Sequence, residues 1–103
     1  MSVLVEYAIF PTDKGESVSQ YVSRVIKMLN DSNIEYKLTP MGTIFETKTI
    51  EEALEIIKKS YEVLEKDCNR IYLVLKMDIR KGRKKGIVQK IKSIEEKIGK
   101  VSK

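Results

Sequence analysis

The chain is most regular at residues 71–80, which read Ile71-Tyr72-Leu73-Val74-Leu75-Lys76-Met77-Asp78-Ile79-Arg80. Every second position is apolar, and the positions between them include two basic residues and one acidic residue. Because side chains alternate across a strand, this pattern predicts a strand with one face turned toward a hydrophobic core. We expect that face to pack on helices through Ile71, Leu73, Leu75, Met77 and Ile79.

The segments before residue 71 supply the elements that would surround this strand. Residues 2–10 predict a first strand, and residues 34–39 and 43–47 predict two more, joined by the turn Pro40-Met41-Gly42. Apolar residues at helical spacing predict helices after Ser17 and after Thr49, each of which would open a capping box with the residue three positions on. A third helix is expected after the basic loop, with its stop at Gly99.

The order of these elements predicts the fold class. Strand-helix-strand-strand-helix-strand is the order of a ferredoxin-like βαββαβ sandwich, an α+β fold with a four-stranded antiparallel sheet and two helices on one face. The third helix would be an extra C-terminal element. A length of 103 residues fits one domain over residues 1–103.

The residue inventory excludes several classes of chemistry. The chain has no histidine, so it lacks a histidine base, a Ser-His-Asp triad and imidazole metal ligands. A lone Cys68 cannot form an internal disulfide or a zinc cluster. We therefore expect a binding protein without catalytic residues, metal or cofactor. The free cysteine and the lack of a recognisable signal peptide predict a cytoplasmic protein. Since no apolar run approaches about 20 residues, we expect no membrane contact.

The net charge of +5 comes from the C-terminal part of the chain. Residues 80–103 hold ten basic and two acidic residues, whereas residues 1–79 hold ten basic and thirteen acidic ones. The run from Arg80 to Lys85 could contact phosphates, or it could be a solvated loop that opens a basic helix. The predicted sheet lacks an aromatic RNA-recognition motif, so nucleic acid is not the expected partner.

The sheet face away from the two helices carries an unusual mixture of side chains. On the first strand it presents Leu4, Glu6, Ala8 and Phe10, and on the fourth it presents Tyr72, Val74, Lys76, Asp78 and Arg80. This face, called the open face below, is too apolar to stay solvated. We expect a homodimer through it, and a homotetramer through a further edge or helix contact. Two interpretations of Glu6, Lys76, Asp78 and Arg80 remain: a structural ion-pair network or a ligand site.

Three further residues could serve a ligand, and each has a structural alternative. Glu46, at the end of a strand, could accept hydrogen bonds from a cationic or amino-aromatic ligand, or it could be an ordinary surface carboxylate. Met41 could place a thioether beside an aromatic ring, or it could belong to a simple hairpin turn. Ser19 could help to hold an anion in the first turn of a helix, or it could cap that helix.

Four segments together resemble a known family. They are residues 5–11, residues 17–22, the run Leu38-Thr39-Pro40-Met41-Gly42-Thr43 with Glu46 after it, and Lys76-Met77-Asp78-Ile79-Arg80. In this order they resemble the small single-domain thiamine-binding protein family related to YkoF. The resemblance implies a ferredoxin-like subunit, dimers with stacked sheets that pair into tetramers, and no catalysis.

The resemblance also implies a ligand and a set of ligand contacts. The ligand would be thiamine or its hydroxymethylpyrimidine moiety, bound near subunit contacts by Ser19, Met41, Thr43, Glu46 and Asp78. Glu6, Lys76 and Arg80 would serve either the interface or an ion-pair network. Two other functions compete with this one. The chain could be an oligomeric, ACT-like regulatory module that senses another metabolite, or a basic binder of nucleic acid or phosphate through residues 80–92.

Overall fold

The computed structural model of the protein describes residues 1–82 and 85–102. Its elements follow the predicted order: β1 Ser2–Pro11, α1 Ser19–Asp31, β2 Glu35–Thr39, β3 Gly42–Thr47, α2 Ile50–Glu65, β4 Ile71–Arg80 and α3 Gly86–Ile98. The four strands form one antiparallel sheet in the order β2-β3-β1-β4. The predicted ferredoxin-like sandwich with an added C-terminal helix is therefore confirmed. No helix of the described residues is long and apolar enough to cross a membrane.

The core lies between the central strand β1 and the helices α1 and α2. The alternate β1 residues Val3, Val5, Tyr7 and Ile9 are buried, as the sequence pattern predicts. Tyr7 meets Phe45 of β3 edge to face, with 5.3 Å between ring centroids. The Tyr7 hydroxyl lies 2.8 Å from Ser60 Oγ on α2, and burial raises the pKa of Tyr7.

The two predicted capping boxes have different outcomes. Thr49 caps α2, since its side chain accepts a hydrogen bond from the Glu52 amide at 3.1 Å. The box predicted at Ser17 is wrong. The carbonyl of Val18 accepts the amides of Tyr21 and Val22, so Val18 occupies the capping position and α1 begins at Ser19 without a side-chain cap.

One prediction about β4 needs correction. Its helix-side face was expected to pack on helices, but Leu73, Leu75 and Ile79 stay 39%, 37% and 46% exposed. Only Ile71 and Met77 of this face pack against the core. The reason is the position of β4: it is the outermost strand of the sheet, whereas α1 and α2 are centred on the strands inside it.

The open face is partly covered by α3, an arrangement that the sequence pattern does not specify. The helix contacts β3 and β1 from this side, with Ile87 and Ile91 partly buried. Further along α3, Ile94 and Ile98 are 51% and 73% exposed. Only the first half of the apolar stripe of α3 is therefore buried within one subunit.

Candidate functional site

An apolar cavity of about 250 Å³ lies between α1 and the β2–β3 hairpin. Val18, the residue before α1, forms one wall with Val22 and Ile26 of α1, and residues 38–43 of the hairpin form the opposite wall. Residues 7–10 of β1 close the cavity from the sheet side. We call this cavity the hairpin pocket. Apolar walls with few polar groups are typical of sites for small organic ligands.

The β1 side of the hairpin pocket exposes strand backbone. The β1–β3 ladder ends at the pair Tyr7–Thr43, whereas the β1–β4 ladder continues to the pair Pro11–Ile71. Beyond Tyr7, β1 therefore has a ladder partner on its β4 side but none on its β3 side among the described residues. Backbone N–H and C=O groups of alternate residues in the segment 8–10 point to this side, where a ligand could pair with them as a strand would.

The turn of the hairpin is fixed by one threonine and one glycine. Thr39 Oγ1 donates to the Gly42 carbonyl at 2.8 Å and accepts from the Gly42 amide at 3.1 Å. A Cβ atom on Gly42 would lie 3.0 Å from the carbonyl oxygen of Tyr7, so a side chain here would push the hairpin and β1 apart by a few tenths of an ångström. These contacts hold Met41 at the mouth of the pocket with 89% of its surface exposed.

A second group of polar residues lies at the other end of the sheet. Leu4 pairs with Glu46 on one side and with Asp78 on the other, so the two carboxylates stand in one row across the open face. Glu46 accepts hydrogen bonds from the amides of Gly86 and Ile87, at 2.6 and 3.4 Å, and from the Ser2 hydroxyl. Asp78 forms an ion pair with Lys90 at 2.5 Å. Both carboxylates thus hold α3 on the sheet, and we call this pair the α3 clamp.

The remaining open-face charges form local contacts. Lys76 pairs with Glu6 at 3.1 Å. Arg80 lines a groove of about 640 Å³ between the end of β4 and α3, together with Lys81, Lys90 and Ser93. Arg83 and Lys84 of the basic run lie outside the described residues.

The five residues implied as ligand contacts are spread over different places. Met41 and Thr43 line the hairpin pocket, with Met41 at its mouth and Thr43 buried. Glu46 and Asp78 form the α3 clamp. Ser19 is exposed in the first turn of α1, next to the pocket residue Val18, and its carbonyl accepts the Ser23 hydroxyl.

Sequence reasoning missed most of the walls of the hairpin pocket. Val18, Val22 and Ile26 belong to the apolar stripe of α1, which is indistinguishable from a core stripe in the sequence. The exposed edge of β1 depends on where the β1–β3 ladder ends, and no sequence pattern reports that register.

Comparisons with known proteins agree with this architecture. The family model described as thiamine-binding protein matches residues 5–95. A UPF0045 protein of Methanothermobacter thermautotrophicus is 35% identical over 98 residues, which cover 93% of this chain and 99% of the relative. A UPF0045 protein of Methanocaldococcus jannaschii is 33% identical over 94 residues, covering 91% of this chain and 93% of the relative.

Solved structures show the same fold. A crystal structure of a Methanocaldococcus jannaschii protein matches with a TM-score of 0.82 at 33% identity, covering 92% of this chain and 97% of that one. A Thermotoga maritima protein, whose name connects it with thiamine biosynthesis and salvage, matches with a TM-score of 0.79 at 22% identity. It covers 91% of this chain and 99% of its own. The family match spans most of the sequence, and the chain therefore belongs to the thiamine-binding protein family.

Proposed function

We propose that the protein binds thiamine or its hydroxymethylpyrimidine moiety, without catalysis, in the hairpin pocket. The observation that carries this proposal is the end of the β1–β3 ladder at Tyr7–Thr43, which leaves strand backbone facing an apolar cavity. A flat aminopyrimidine has both donors and acceptors along one edge, so it can pair with the backbone of residues 8–10 while its faces contact apolar walls.

The size of the pocket favours one ring over two. Its volume of about 250 Å³ lies below the roughly 300–1,000 Å³ of pockets that enclose a drug-sized molecule. The pyrimidine ring would enter the pocket, and the cationic thiazolium ring would lie at its mouth beside Met41. A polarisable thioether is a suitable neighbour for a heteroaromatic ring.

We propose different roles for the other residues implied by the family resemblance. Met41 and Thr43 would be the direct contacts. Ser19 would lie at the border of the site, beyond Val18. Glu46 and Asp78 would contact a ligand only after α3 has moved away from the sheet, since both carboxylates bind that helix here.

We also propose that the subunit forms a homodimer through the open face, in a cytoplasmic setting that suits the buried free thiol of Cys68. Tyr72 and Val74 are each 53% exposed on this face, and Ile94 and Ile98 of α3 are exposed beside it. Ala8 and Phe10 both face this side and line the hairpin pocket, so a partner on the open face would lie close to the ligand. A contact between two such dimers would give a tetramer.

Titration calorimetry with thiamine and with hydroxymethylpyrimidine tests the ligand. We expect Val22→Phe, which fills the α1 wall of the pocket, to weaken binding at least tenfold. The matched control is Val88→Phe on α3, where the side chain is half exposed and lines no described pocket. Absence of heat with both ligands at millimolar concentration would refute the proposal, and so would wild-type affinity in Val22→Phe.

A further inference from the structure

The groove between the end of β4 and α3 is lined by polar side chains that the α3 clamp uses only in part. Its volume is about 640 Å³, and we call it the β4–α3 groove. The wall at the end of β4 carries Asp78, Arg80 and Lys81, and the helix wall carries Gln89, Lys90 and Ser93. None of these residues lines the hairpin pocket.

One face of α3 supplies the helix wall. Gln89 and Lys90 precede Ser93 by four and three positions, the spacings at which side chains of a helix are neighbours. This face presents an amide, an ammonium and a hydroxyl group to the groove. Arg80 is the last residue of β4 and shares the open face with Asp78, so its guanidinium lies across the groove from these groups. The groove is therefore polar on both walls.

Positive charge exceeds negative charge in this groove. Three cations, Arg80, Lys81 and Lys90, and one carboxylate, Asp78, give a net charge of +2. The carboxylate pairs with Lys90 at 2.5 Å. Within residues 1–82 and 85–102, the side chains of Arg80 and Lys81 have no hydrogen-bond or ion-pair partner. Two cationic side chains with free donors are thus available to an anion in the groove.

We propose that the β4–α3 groove binds the phosphate group of a small phosphorylated molecule. Arg80 can offer two parallel N–H groups to two phosphate oxygens, and Lys81 adds a point charge beside it. A phosphate monoester, with a charge of about −2 at neutral pH, balances the net charge of the groove. The volume of about 640 Å³ lies within the roughly 300–1,000 Å³ of small-molecule pockets, so the groove has room for the rest of the molecule.

Lys90 links this site to the position of α3. An ammonium group has three N–H donors, so Lys90 can bind a phosphate oxygen without releasing Asp78. Ser93 can donate a further hydrogen bond from the same face of the helix. A phosphate bound by Arg80 from the strand side and by Lys90 from the helix side would bridge β4 and α3. We therefore expect the bound anion to hold α3 more firmly on the sheet.

A single phosphate group suits the groove better than a strand of nucleic acid. Strand binding depends on a row of cations along the phosphate backbone and, for single strands, on aromatic side chains that stack on the bases. Among the described residues, Lys90 is the one cation of α3 that lines the groove, and no aromatic side chain lines it. The lining therefore fits a compact anion.

The β4–α3 groove and the hairpin pocket lie toward opposite ends of the sheet. Arg80 pairs with Ser2 at the start of β1, whereas the hairpin pocket begins at Tyr7. At about 3.3 Å per residue, these two points of β1 are roughly 17 Å apart. The phosphate site is therefore separate from the proposed site for thiamine, and each can be tested without the other.

Titration with inorganic phosphate, followed by amide NMR of the full chain, tests the site. Phosphate replaces chloride at constant ionic strength, so general screening of charges does not change. We expect the amide signals of residues 80–82 and 89–93 to shift along one saturating curve at millimolar phosphate. The signals of residues 8–10 in the hairpin pocket should not shift.

Two variants that remove the same charge separate a defined site from diffuse attraction. Arg80→Gln removes the paired donors from the groove and should weaken phosphate binding roughly tenfold. Lys92→Gln removes a cation from the exposed surface of α3 outside the groove, and should change the dissociation constant by no more than about twofold. Arg80→Lys keeps the charge but loses the planar pair of donors, so its affinity should lie between those of the wild type and Arg80→Gln.

Three results would overturn the proposal. Equal weakening by Arg80→Gln and Lys92→Gln, or shifts that never saturate, would show diffuse attraction only. A short single-stranded RNA that displaces phosphate from the same residues and binds more tightly at the same salt concentration would make nucleic acid the partner. Finally, phosphate should slow hydrogen exchange of the α3 amides in the wild type and not in Arg80→Gln, and unchanged exchange in the wild type would contradict the bridge between β4 and α3.

Discussion

Replacing Glu46 should release α3 from the sheet while leaving the rest of the fold in place. Glu46 is the only described side chain that accepts from the first amides of α3, and its carboxylate also accepts the Ser2 hydroxyl. A carboxylate at this position satisfies amide groups that the helix cannot pair internally, and it interacts favourably with the helix dipole. The Glu46→Ala variant removes both effects, and Glu46→Gln removes only the charge.

The size of the effect follows from these contacts. Loss of a helix cap costs about 1–2 kcal/mol, and the charge at a partly buried helix start contributes up to about 1–2 kcal/mol. We expect docking of α3 to weaken by about 2 kcal/mol in Glu46→Ala and by about 1 kcal/mol in Glu46→Gln. Since 1.4 kcal/mol is a factor of ten, amides of α3 should exchange with deuterium roughly 30-fold and 5-fold faster.

Hydrogen exchange measured by mass spectrometry separates local from global effects. Peptides from α3 should show the faster exchange, and peptides from β1 should not change. The matched control is Glu35→Gln, which removes an exposed carboxylate directly opposite Glu46 on β2. Unchanged α3 exchange in Glu46→Ala would refute the role of the clamp, and equal effects of Glu46→Gln and Glu35→Gln would refute the contribution of the charge.

Three other changes have defined outcomes. Ser60→Ala should destabilise the fold by about 1–3 kcal/mol in urea unfolding, because it leaves the buried Tyr7 hydroxyl without its hydrogen-bond partner. Tyr7→Phe should destabilise the fold less, since Ser60 Oγ keeps its hydrogen bond to the Ile56 carbonyl. The hydrogen bond from Arg24 lowers the pKa of Asp67, so the pair should stabilise the fold at pH values above the ordinary pKa of a carboxyl group and lose this effect as the pH falls. Arg24→Met should therefore raise the pKa of Asp67 in an NMR titration, and an unchanged pKa would contradict this role of Arg24. Gly42→Ala should move the hairpin away from Tyr7 and weaken ligand binding in calorimetry, whereas Gly42→Ala with wild-type affinity would show that the hairpin position is irrelevant.

The sequence predicted the elements of this fold well because each is encoded by a short-range pattern. The alternation in β1 identifies which residues face the core, and Thr49 with Glu52 marks the start of α2. The alternation in β4 was less informative. It identifies the two faces correctly, but it cannot show that an edge strand extends beyond the helices, so Leu73 and Leu75 were assigned to the core in error.

The candidate site was harder to predict because it depends on relations between distant segments. The hairpin pocket lies where the β1–β3 ladder ends. The α3 clamp forms because α3, which begins forty residues after Glu46, packs on the sheet beside Leu4 and Glu46. Met41 and Thr43, which line this pocket, lie in the local motif that carries the family resemblance. The backbone of residues 8–10 has no side-chain signature and could not be found in that way.

The two residues shared by the hairpin pocket and the open face have a thermodynamic consequence. Ala8 and Phe10 line the cavity, and they also belong to the sheet surface through which we propose association. Phe10 stacks on Tyr72, with 5.7 Å between ring centroids, so a shift of this wall would reach the outer strand. Occupancy of the pocket and association of subunits would then be linked equilibria. The coupling is reciprocal: if ligand binding changes the association constant of the subunits by some factor, association changes the affinity for the ligand by the same factor.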